Sequence, residues 1–495
     1  MSCATKTIDK ATWLSAEQCL AQAWFAMREE STAPSEADLF LMGQGQEVGR
    51  LAHELYPSGV LVLPRQGRSA EEVTQTLLAD ASIDTLFEAA FRADSFVAKA
   101  DILRRLDLGW RVLEVKSSFP DTVGIEGLID DLAYTVMVLR KAGLPVAKAS
   151  LALLSREYRH GEAADRLFEI VDVTEEVDSR VSEYAESAES VACVLLADAT
   201  PEAELVSACR GCTFFAYRCL GAGLAHTVLE LPGLHHKKLK RLSAAWIIDI
   251  SRVPKSIELN ERQIRAKDSA LSGRMVVAPV LADALRAIEW PCRYLDFETV
   301  TTLLPLYEGH GCHQQILTQF SIHCRVSPEA EPSHVGYLAD AKKNCERAVA
   351  EALIEHLGSG GSILVYSAFE ATRIRALSEA FPDLSDGLQS ILNRIVDLLP
   401  LVRDHVYHPD FRGSFSIKHV LPALVSDLSY SELEVADGYT AVARFARMAR
   451  GELRGEELGR TRQYLLDYCE RDTLAMVCLH KTLSGIASKR RAAGA

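Results

Sequence analysis

The sequence predicts an α/β fold with more than one domain. Two strand-like segments at 95–103 and 110–117 are joined by a turn and followed by an amphipathic helix at 127–142. After residue 292, strand-like segments at 294–298, 315–323 and 363–366 precede or alternate with helical ones, which continue to the end of the chain. Periods of about 2 and about 3.6 residues that alternate in this way indicate mixed sheets covered by helices.

Length and composition indicate a chain of two or three domains. The 495 residues are 48% hydrophobic and 25% charged, which is enough apolar material for several cores. We divide the chain into a first domain at 1–224, a helical connecting segment at 225–287 and a second domain at 288–495. We expect a cytoplasmic protein with no membrane partner, because we find neither a signal peptide nor an apolar run near about 18 residues.

The first domain is predicted to open with helices. One helical segment runs past Trp13 to Phe25, and a second spans about 40–55. After the hairpin and the helix at 127–142, strands at 150–154 and 167–173 lead into a long helix through Cys193. A cysteine-rich loop then closes the domain near Leu220.

Four of the twelve cysteines are spaced like metal ligands. One lies near the N-terminus and three fall together in CRGCTFFAYRC, giving the set Cys19, Cys209, Cys212 and Cys219. A Cys-x2-Cys pair with a third nearby thiolate can converge on one centre, and a distant fourth ligand would join the ends of the domain. In a reducing compartment such cysteines favour metal ligation over disulfides.

The residues between these cysteines include types suited to phosphodiester hydrolysis. Glu114 and Lys116 are two apart on a predicted strand, so both side chains face the same way. Asp101 lies across the predicted hairpin and can join Glu114 in holding a divalent cation, while Lys116 orients water or contacts phosphate. His53 closes the preceding Gly-x3-His motif.

Residues 10–222 resemble the PD-(D/E)xK nucleases of the RecB type that carry an iron-sulfur cluster, a group that includes the CRISPR adaptation nucleases. The resemblance implies a restriction-endonuclease-like fold and a magnesium or manganese ion. By position, it implies that His53, Asp101 and Glu114 bind the metal and that Lys116 is catalytic. It also implies a 4Fe-4S cluster held by Cys19, Cys209, Cys212 and Cys219.

This region departs from the family pattern in two places. The family usually has Gln and Tyr one helical turn apart after the Lys strand, and here Asp130 takes the Gln position while Tyr134 is kept. The last two cysteines are separated by six residues, where the family more often has five. Zinc remains the alternative metal, because four thiolates also suit its tetrahedral coordination.

A second acidic set begins at residue 296. Asp296 and Glu298 share one face of an apolar strand, and two such carboxylates are costly to bury without a cation. Tyr468 and Asp472 are one turn apart on a predicted helix. A predicted strand over 363–370 is expected to deliver Glu370 at its end.

Residues 290–485 resemble the DnaQ-like 3′-5′ exonucleases, which have an RNase H-like fold. The resemblance implies that Tyr468 orients the attacking water and that two metal ions are held by Asp296, Glu298, Glu370 and Asp472. The family normally has Asp where Glu370 stands, and Asp397 is an alternative for this ligand. Lys418 is a candidate phosphate contact.

The predicted function is a two-site bacterial nuclease acting on DNA, on single strands or 3′ ends, in DNA repair, foreign-DNA processing or phage defence. The formal charge of −14 opposes nucleic-acid binding overall but leaves room for a local basic groove. Candidate groove residues are the pair Arg104 and Arg105, the basic stretch at 235–241 and the tail at 489–491. Alternatives are RNA as the substrate, or one inactive module that only binds nucleic acid or protein. A helicase or defence-system protein is a candidate partner.

Overall fold

The computed structural model describes residues 6–29, 33–65, 67–425, 433–435 and 437–494. The side chains of Arg490 and Arg491, from the predicted basic tail, lie outside the described part. The chain divides into two units, Met1–Leu220 with Thr302–Gln314, and Gly221–Thr301 with Gln315–Ala495. Among the described residues, no helix is long and apolar enough to cross a membrane.

The first unit contains a mixed sheet with helices on both faces. Its helices are α1 (Lys10–Gln18), α2 (Leu20–Ala26), α3 (Glu36–His53), α4 (Ala70–Leu78), α5 (Ile125–Lys141), α6 (Thr174–Leu196) and α7 (Phe215–Arg218). Its strands are β1 (Val60–Leu61), β2 (Thr85–Ala93), β3 (Phe96–Leu106), β4 (Gly109–Lys116), β5 (Val146–Leu154) and β6 (Phe168–Asp172).

The strands of this sheet are arranged in the order β1-β2-β3-β4-β5-β6. Strands β2, β3 and β4 form an antiparallel meander, and β5 is parallel to β4 after the crossover through α5. Helices α5 and α6 share a large apolar core with α1 and α2 on one face. Helix α3 contributes Val48 and Ala52 to a second core that includes Ile102 and Leu113.

Residues 302–314 belong to the first unit, although the sequence analysis assigned them to the second domain. The backbone N–H of Leu303 donates to the Gln44 side chain over 2.8 Å, and Cys312 is buried in the core beneath α3. The backbone N–H of His160 donates to the carbonyl of His310 over 3.0 Å. These contacts hold the segment on the first unit.

The second unit also contains a mixed sheet. Its helices are α8 (His236–Ala244), α9 (Glu261–Ser272), α10 (Leu281–Arg286), α11 (Glu346–Leu357), α12 (Phe369–Ala380), α13 (Ser385–Leu392), α14 (Leu398–His405), α15 (Ile417–Leu424), α16 (Gly438–Ala449) and α17 (Gly455–Gly494). Its strands are β7 (Val276–Val277), β8 (Cys292–Val300), β9 (Ile316–Arg325), β10 (Ser333–Leu338), β11 (Ile363–Val365), β12 (Ile395–Asp397) and β13 (Val406–Tyr407).

The main sheet of this unit has the order β10-β9-β8-β11-β12. Strands β8, β9 and β10 are antiparallel neighbours, whereas β11 is parallel to both β8 and β12. Helix α17 packs against β8, β9 and β10, and β7 pairs with β13 in a separate ribbon. The segment at 225–287, predicted as a connector, is part of this unit.

Two local predictions need correction, and two strands of the main sheets were not predicted. The single helical opening is two helices, because Cys19 is extended at φ −164° and its sulfur caps α2 by accepting from the Gln22 backbone N–H. The strand predicted over 363–370 ends at Val365, and Glu370 lies in the first turn of α12. Strands β2 and β10 were not predicted from the sequence.

Two candidate acidic metal centres and a thiol cluster

The first acidic site lies where the β2–β3 ladder is interrupted. The pairing runs through Phe87 opposite Ile102 and resumes at Ala89 opposite Ala100, leaving Glu88 and Asp101 between these pairs. Glu88 has a positive φ of 58°, which is uncommon for a side chain other than glycine. The interruption therefore brings a second carboxylate to the strand position of Asp101.

Asp101 is held by the neighbouring strand. The β3–β4 ladder stops at Ile102 opposite Leu113, and beyond it the Asp101 carboxylate accepts a 2.8 Å hydrogen bond from the Val115 backbone N–H. Burial, followed by the charge of Glu114, raises the pKa of Asp101 to about 7. The folded chain thus opposes ionisation of Asp101 in the absence of a cation.

Glu114 is a buried carboxylate with a side-chain exposure of 2%. Its Oε1 contacts the ammonium of Lys10 and lies 3.1 Å from that of Lys116. Its Oε2 is buried without a hydrogen-bond partner. Buried carboxylate oxygens are normally satisfied, so this oxygen is suited to accept a cation.

Lys116 lies between two acids, because its ammonium contacts Asp131 of α5 as well as Glu114. Burial opposes its charge, but the two carboxylates raise the pKa of Lys116 above the usual value. Lys10, at the start of α1, approaches the same pair and lies 3.7 Å from Asp131. Two lysines and two acids therefore form one charged cluster.

His53 is at the end of α3, and its ring stacks on Phe87 with centroids 4.0 Å apart. Burial lowers the pKa of His53, which favours the neutral imidazole that binds metals. His53 lines a cleft of about 580 Å³ together with Glu88, Asp101 and Lys116. The structure therefore brings the predicted His53, Asp101 and Lys116 to one cleft.

The turn of α5 that contains Asp130 and Tyr134 makes contacts that the sequence did not predict. Asp130 pairs with Arg180 at 2.6 Å, and Asp131 is the acid that reaches Lys116. Tyr134 is fully buried and its hydroxyl contacts the backbone carbonyls of Ile8 at 2.6 Å and Val97 at 3.0 Å. Tyr134 therefore ties α5 to the N-terminal segment.

Sequence reasoning missed three charged residues of this site: Lys10, Glu88 and Asp131. Lys10 is far from the other residues in sequence, and only the packing of α1 brings it to Glu114. Glu88 lies on a strand that was not predicted. Asp131 could have been predicted from the sequence, since it follows Asp130 directly on the predicted helix.

The four predicted cysteine ligands belong to one part of the first unit. Burial raises the pKa of Cys209, and the nearby thiols of Cys19, Cys219 and Cys212 raise it further. The Cys209 sulfur accepts from the Val206 backbone N–H over 3.4 Å, as the Cys19 sulfur does from Gln22. Four thiols with N–H groups directed at two of the sulfurs are the donor types that an iron-sulfur cluster or zinc takes. Among the described residues, however, these sulfurs do not form a group of three or more within 4.8 Å of one another.

Contacts between α2 and the C-terminal part of the first unit bring Cys19 to the other thiols. The Phe25 ring stacks on Phe214 with centroids 5.3 Å apart. Trp24 donates from its indole to the Ala197 carbonyl over 2.9 Å, and Arg28 donates to the carbonyls at the end of α6. These contacts join residues separated by most of the unit's sequence.

The second acidic site brings three predicted ligands together. Asp296, Glu298 and Asp472 each offer an oxygen, and these oxygens all lie within 4.8 Å of one another. Burial raises the pKa of Asp296 well above its ordinary value, with further increases from Asp472 and Glu298. Burial and Asp472 also raise the pKa of Glu298. This arrangement is suited to one or more divalent cations.

Hydrogen bonds between β9 and α17 position Asp472. Gln319 donates from its side chain to the Leu465 carbonyl over 2.8 Å, and Ser321 contacts the Thr473 hydroxyl at 2.7 Å. Since β9 pairs with β8 along its length, these bonds set α17 against the strand that carries Asp296.

Glu370 and Asp397 differ in their hydrogen bonding. Glu370 is 4% exposed, and its Oε2 is buried without a hydrogen-bond partner. Its burial raises the pKa, and its charge raises that of Asp296 and Glu298. Asp397 caps α14 by accepting from the Leu399 backbone N–H over 2.8 Å. Glu370 is therefore the stronger candidate for a fourth ligand, although it lies on a helix and outside the group of oxygens that are within 4.8 Å of one another.

Three further residues of this site have distinct surroundings. Tyr468 is 4% exposed and precedes Asp472 by one turn of α17. The Cys469 thiol lies 3.7 Å from the Asp296 carboxylate. Lys418 acts electrostatically on Glu298 and lowers its pKa. The Lys418 charge therefore acts on one carboxylate of the site.

Comparison with protein families finds a match to a domain of unknown function, DUF2779, over residues 293–416. The matched segment contains Asp296, Glu298, Glu370 and Asp397, but ends before Tyr468 and Asp472. No curated protein matches the chain.

Proposed function

We propose that the chain is a metal-dependent nuclease that hydrolyses phosphodiester bonds of DNA at two separate acidic sites. The observation that carries this proposal is the convergence of Asp296, Glu298 and Asp472, with oxygens within 4.8 Å of one another and raised carboxyl pKa values. Carboxylates that repel one another in the free protein are stabilised when a divalent cation binds between them.

The sheet of the second unit supports an RNase H-like, DnaQ-type exonuclease. Numbered along the chain from β8, its strands are arranged 3-2-1-4-5, with the second strand antiparallel to the first. This order is typical of that fold, and the acids lie on its first strand and on the C-terminal helix. Glu370 in place of the usual Asp reaches in from the first turn of α12.

The first unit supports a PD-(D/E)xK nuclease. Its elements α3, β2, β3, β4, α5 and β5 follow the helix, three-strand meander, helix and parallel strand of that core. Asp101 and Glu114 are on adjacent strands, and the partnerless Glu114 Oε2 fits a cation. Cys19, Cys209, Cys212 and Cys219 would hold a 4Fe-4S cluster, with zinc as the alternative.

Magnesium or manganese bound at these carboxylates would polarise the phosphate and lower the pKa of a bound water. The chain's own residues position the reactants. Lys116, whose ammonium contacts Glu114 and Asp131, would donate to a phosphate oxygen or to the attacking water. Tyr468, one turn before Asp472 on α17, would orient the water at the second site, and Lys418 would supply positive charge for the phosphate.

The substrate we propose is single-stranded DNA or a DNA 3′ end, in cytoplasmic DNA repair, foreign-DNA processing or phage defence. Neither site carries a base-reading motif in the sequence, so phosphate contacts should dominate and sequence preference should be slight. RNA is the alternative substrate, and a helicase or defence-system protein is the proposed partner.

The test is cleavage of 5′-labelled and 3′-labelled DNA and RNA strands with magnesium or manganese by three variants. Lys116→Ala is expected to abolish the products of the first site, and Asp296→Asn those of the second. Asp386→Asn, at an exposed position of α13, is the matched control and should cleave as the wild type does. If only one of the first two substitutions removes cleavage products, the site carrying the substitution without effect is a binding module. If the wild type cleaves neither DNA nor RNA with either metal, the proposal is wrong.

A further inference from the structure

A basic surface lies on the second unit and shares no residue with either acidic site. Residues 235–255 contain six Lys or Arg residues and a single acid, Asp249, within a chain whose formal charge is −14. The Asp249 carboxylate is engaged locally, accepting a 2.7 Å hydrogen bond from the Ser251 backbone N–H. The positive charge of this segment is therefore concentrated and largely uncompensated.

Helix α8 presents these cations to solvent. Leu239 and Leu242 are buried at 2% and 0% exposure and anchor the helix to the unit. Lys237, Lys240 and Arg241 are exposed, and their spacing of three and four residues places them on one face. Because the apolar face of α8 is occupied by the protein, the helix cannot insert that face into a membrane.

No described carboxylate lies within 4.0 Å of the side-chain nitrogens of these cations. Lys238 donates to the backbone carbonyl of Glu258, and Arg241 to that of Ser256 at 3.4 Å. The bonds to carbonyls hold two of the side chains in place without neutralising them. The surface thus keeps its charge for an external anion.

An exposed tryptophan follows directly. Trp246 is 57% exposed and has a positive φ of 54°. The backbone N–H of Trp246 donates to the Ser243 carbonyl over 2.9 Å, and the backbone N–H of Ile247 donates to the Leu242 carbonyl over 3.0 Å. These two bonds form the Schellman motif that ends many helices. The left-handed position of this motif is usually glycine, because larger side chains disfavour it.

A large aromatic side chain at a strained and exposed position is suited to a ligand that stacks on the face of its ring. Nucleic-acid bases stack on exposed aromatic rings, and neighbouring Lys and Arg contact the phosphates between them. An acidic peptide would use the cations but not the ring. We therefore propose that α8 and Trp246 form a docking surface for single-stranded nucleic acid, with phosphates on Lys237, Lys240 and Arg241 and a base on Trp246.

This inference takes its ligand class from the proposed nuclease function, but binding can be measured separately from cleavage. The probe is a fluorescein-labelled oligothymidylate, titrated by anisotropy in EDTA so that no hydrolysis occurs. Trp246→Ala should weaken binding by about tenfold, the loss expected for one stacked base. The wild type's tryptophan fluorescence should be quenched on binding, and Trp246→Phe should remove most of that quenching while retaining affinity.

The contribution of the lysines is measured separately, from the salt dependence of binding. Replacing Lys237 and Lys240 together by Ala should lower the slope of log K against log salt by about 1.4, the value for two lost single-strand phosphate contacts. The exposed pair Lys342 and Lys343, also on the second unit, provides the matched control and should leave affinity and slope unchanged. If both pairs behave alike, the docking surface is refuted.

Trp246→Gly separates binding from folding, since glycine relieves the strained conformation. This variant should melt at the wild-type temperature or above it, yet bind oligothymidylate as weakly as Trp246→Ala. Unchanged oligothymidylate affinity in both Trp246 variants overturns the inference. The inference is also overturned if binding to polyglutamate or to phosphatidylserine vesicles depends on Trp246 while binding to oligothymidylate does not. Binding that depends on Trp246 in a protein without cleavage activity refutes the nuclease function alone.

Discussion

The carboxylate of Asp101 accepts a 2.8 Å hydrogen bond from the backbone N–H of Val115, the residue between Glu114 and Lys116. This bond takes over where the β3–β4 ladder stops at Ile102 opposite Leu113. A side chain thus replaces a backbone acceptor and is fixed against the strand that carries Glu114 and Lys116. The relationship explains how two strands can place their acids side by side without disrupting the meander.

Removing the Asp101 charge should stabilise the metal-free protein while abolishing cleavage at the first site. The folded pKa of about 7 exceeds the ordinary value of 3.8, so the folded state holds this proton more tightly than the unfolded state. In EDTA, the wild type should lose stability as pH rises from about 4 to about 7, and the full loss persists above that window. Asp101→Asn should flatten this part of the pH dependence, as measured by thermal melting.

The same melting experiment can also contradict the prediction. Each kcal/mol regained by Asp101→Asn should raise the melting temperature by about 2–4 °C in a unit of this size. Manganese should raise the melting temperature of the first unit in the wild type but not in the variant, because the second acidic site is intact in both proteins. If the two proteins share one pH profile in EDTA, Asp101 is not a strained carboxyl in the folded chain.

Lys10→Ala should destabilise the first unit. The Lys10 ammonium contacts the Glu114 carboxylate, whose side chain is only 2% exposed, and the variant leaves that carboxylate with less compensating charge. Loss of such a charged hydrogen bond costs about 1.5–3 kcal/mol, measured as the free energy of urea unfolding. Lys6→Ala, at an exposed position on the same segment, is the control and should unfold as the wild type does. Equal stability of the two variants would remove Lys10 from the cluster.

Glu370→Gln and Asp397→Asn should affect the second site differently. Glu370 is buried with a partnerless oxygen, so the neutral amide should weaken manganese binding at this site and reduce its cleavage. Asp397 caps α14, so its substitution should cost about 1 kcal/mol of stability and leave manganese affinity near that of the wild type. Manganese titration by calorimetry distinguishes them, and the reverse pattern would make Asp397 the fourth ligand.

Cys212→Ser should abolish binding of the metal that we propose for the four thiols. After anaerobic purification, the wild type should show a broad absorbance band toward the blue and contain iron, and the variant should lose both and unfold more easily. Cys193→Ser provides the control, because Cys193 is an exposed cysteine of α6 outside the cluster. Colourless wild-type protein that contains zinc would replace the iron-sulfur assignment with a zinc site.

Much of the fold followed from periodicity along the chain. The hairpin of β3 and β4, helix α5 and strand β8 were all predicted within a few residues of their ends, because each carries an apolar segment of strand or helix length bounded by polar or turn-forming residues. Strand β2 was missed because it is buried on both faces over most of its length, so its sequence shows no alternation of apolar and polar residues. The helical opening was predicted as one piece because nothing local marks Cys19 as an extended residue.

By itself, the sequence determined which residue types stand at strand and helix positions, and hence that Glu114 and Lys116 share a face, as do Asp296 and Glu298. Only the tertiary structure decided which distant groups join them. Lys10, Glu88 and Asp131 reach the first site through packing of α1, a ladder interruption and the crossover helix. The physical reason is that local periodicity fixes the direction of a side chain, whereas its neighbours across the core depend on long-range packing that no short segment encodes.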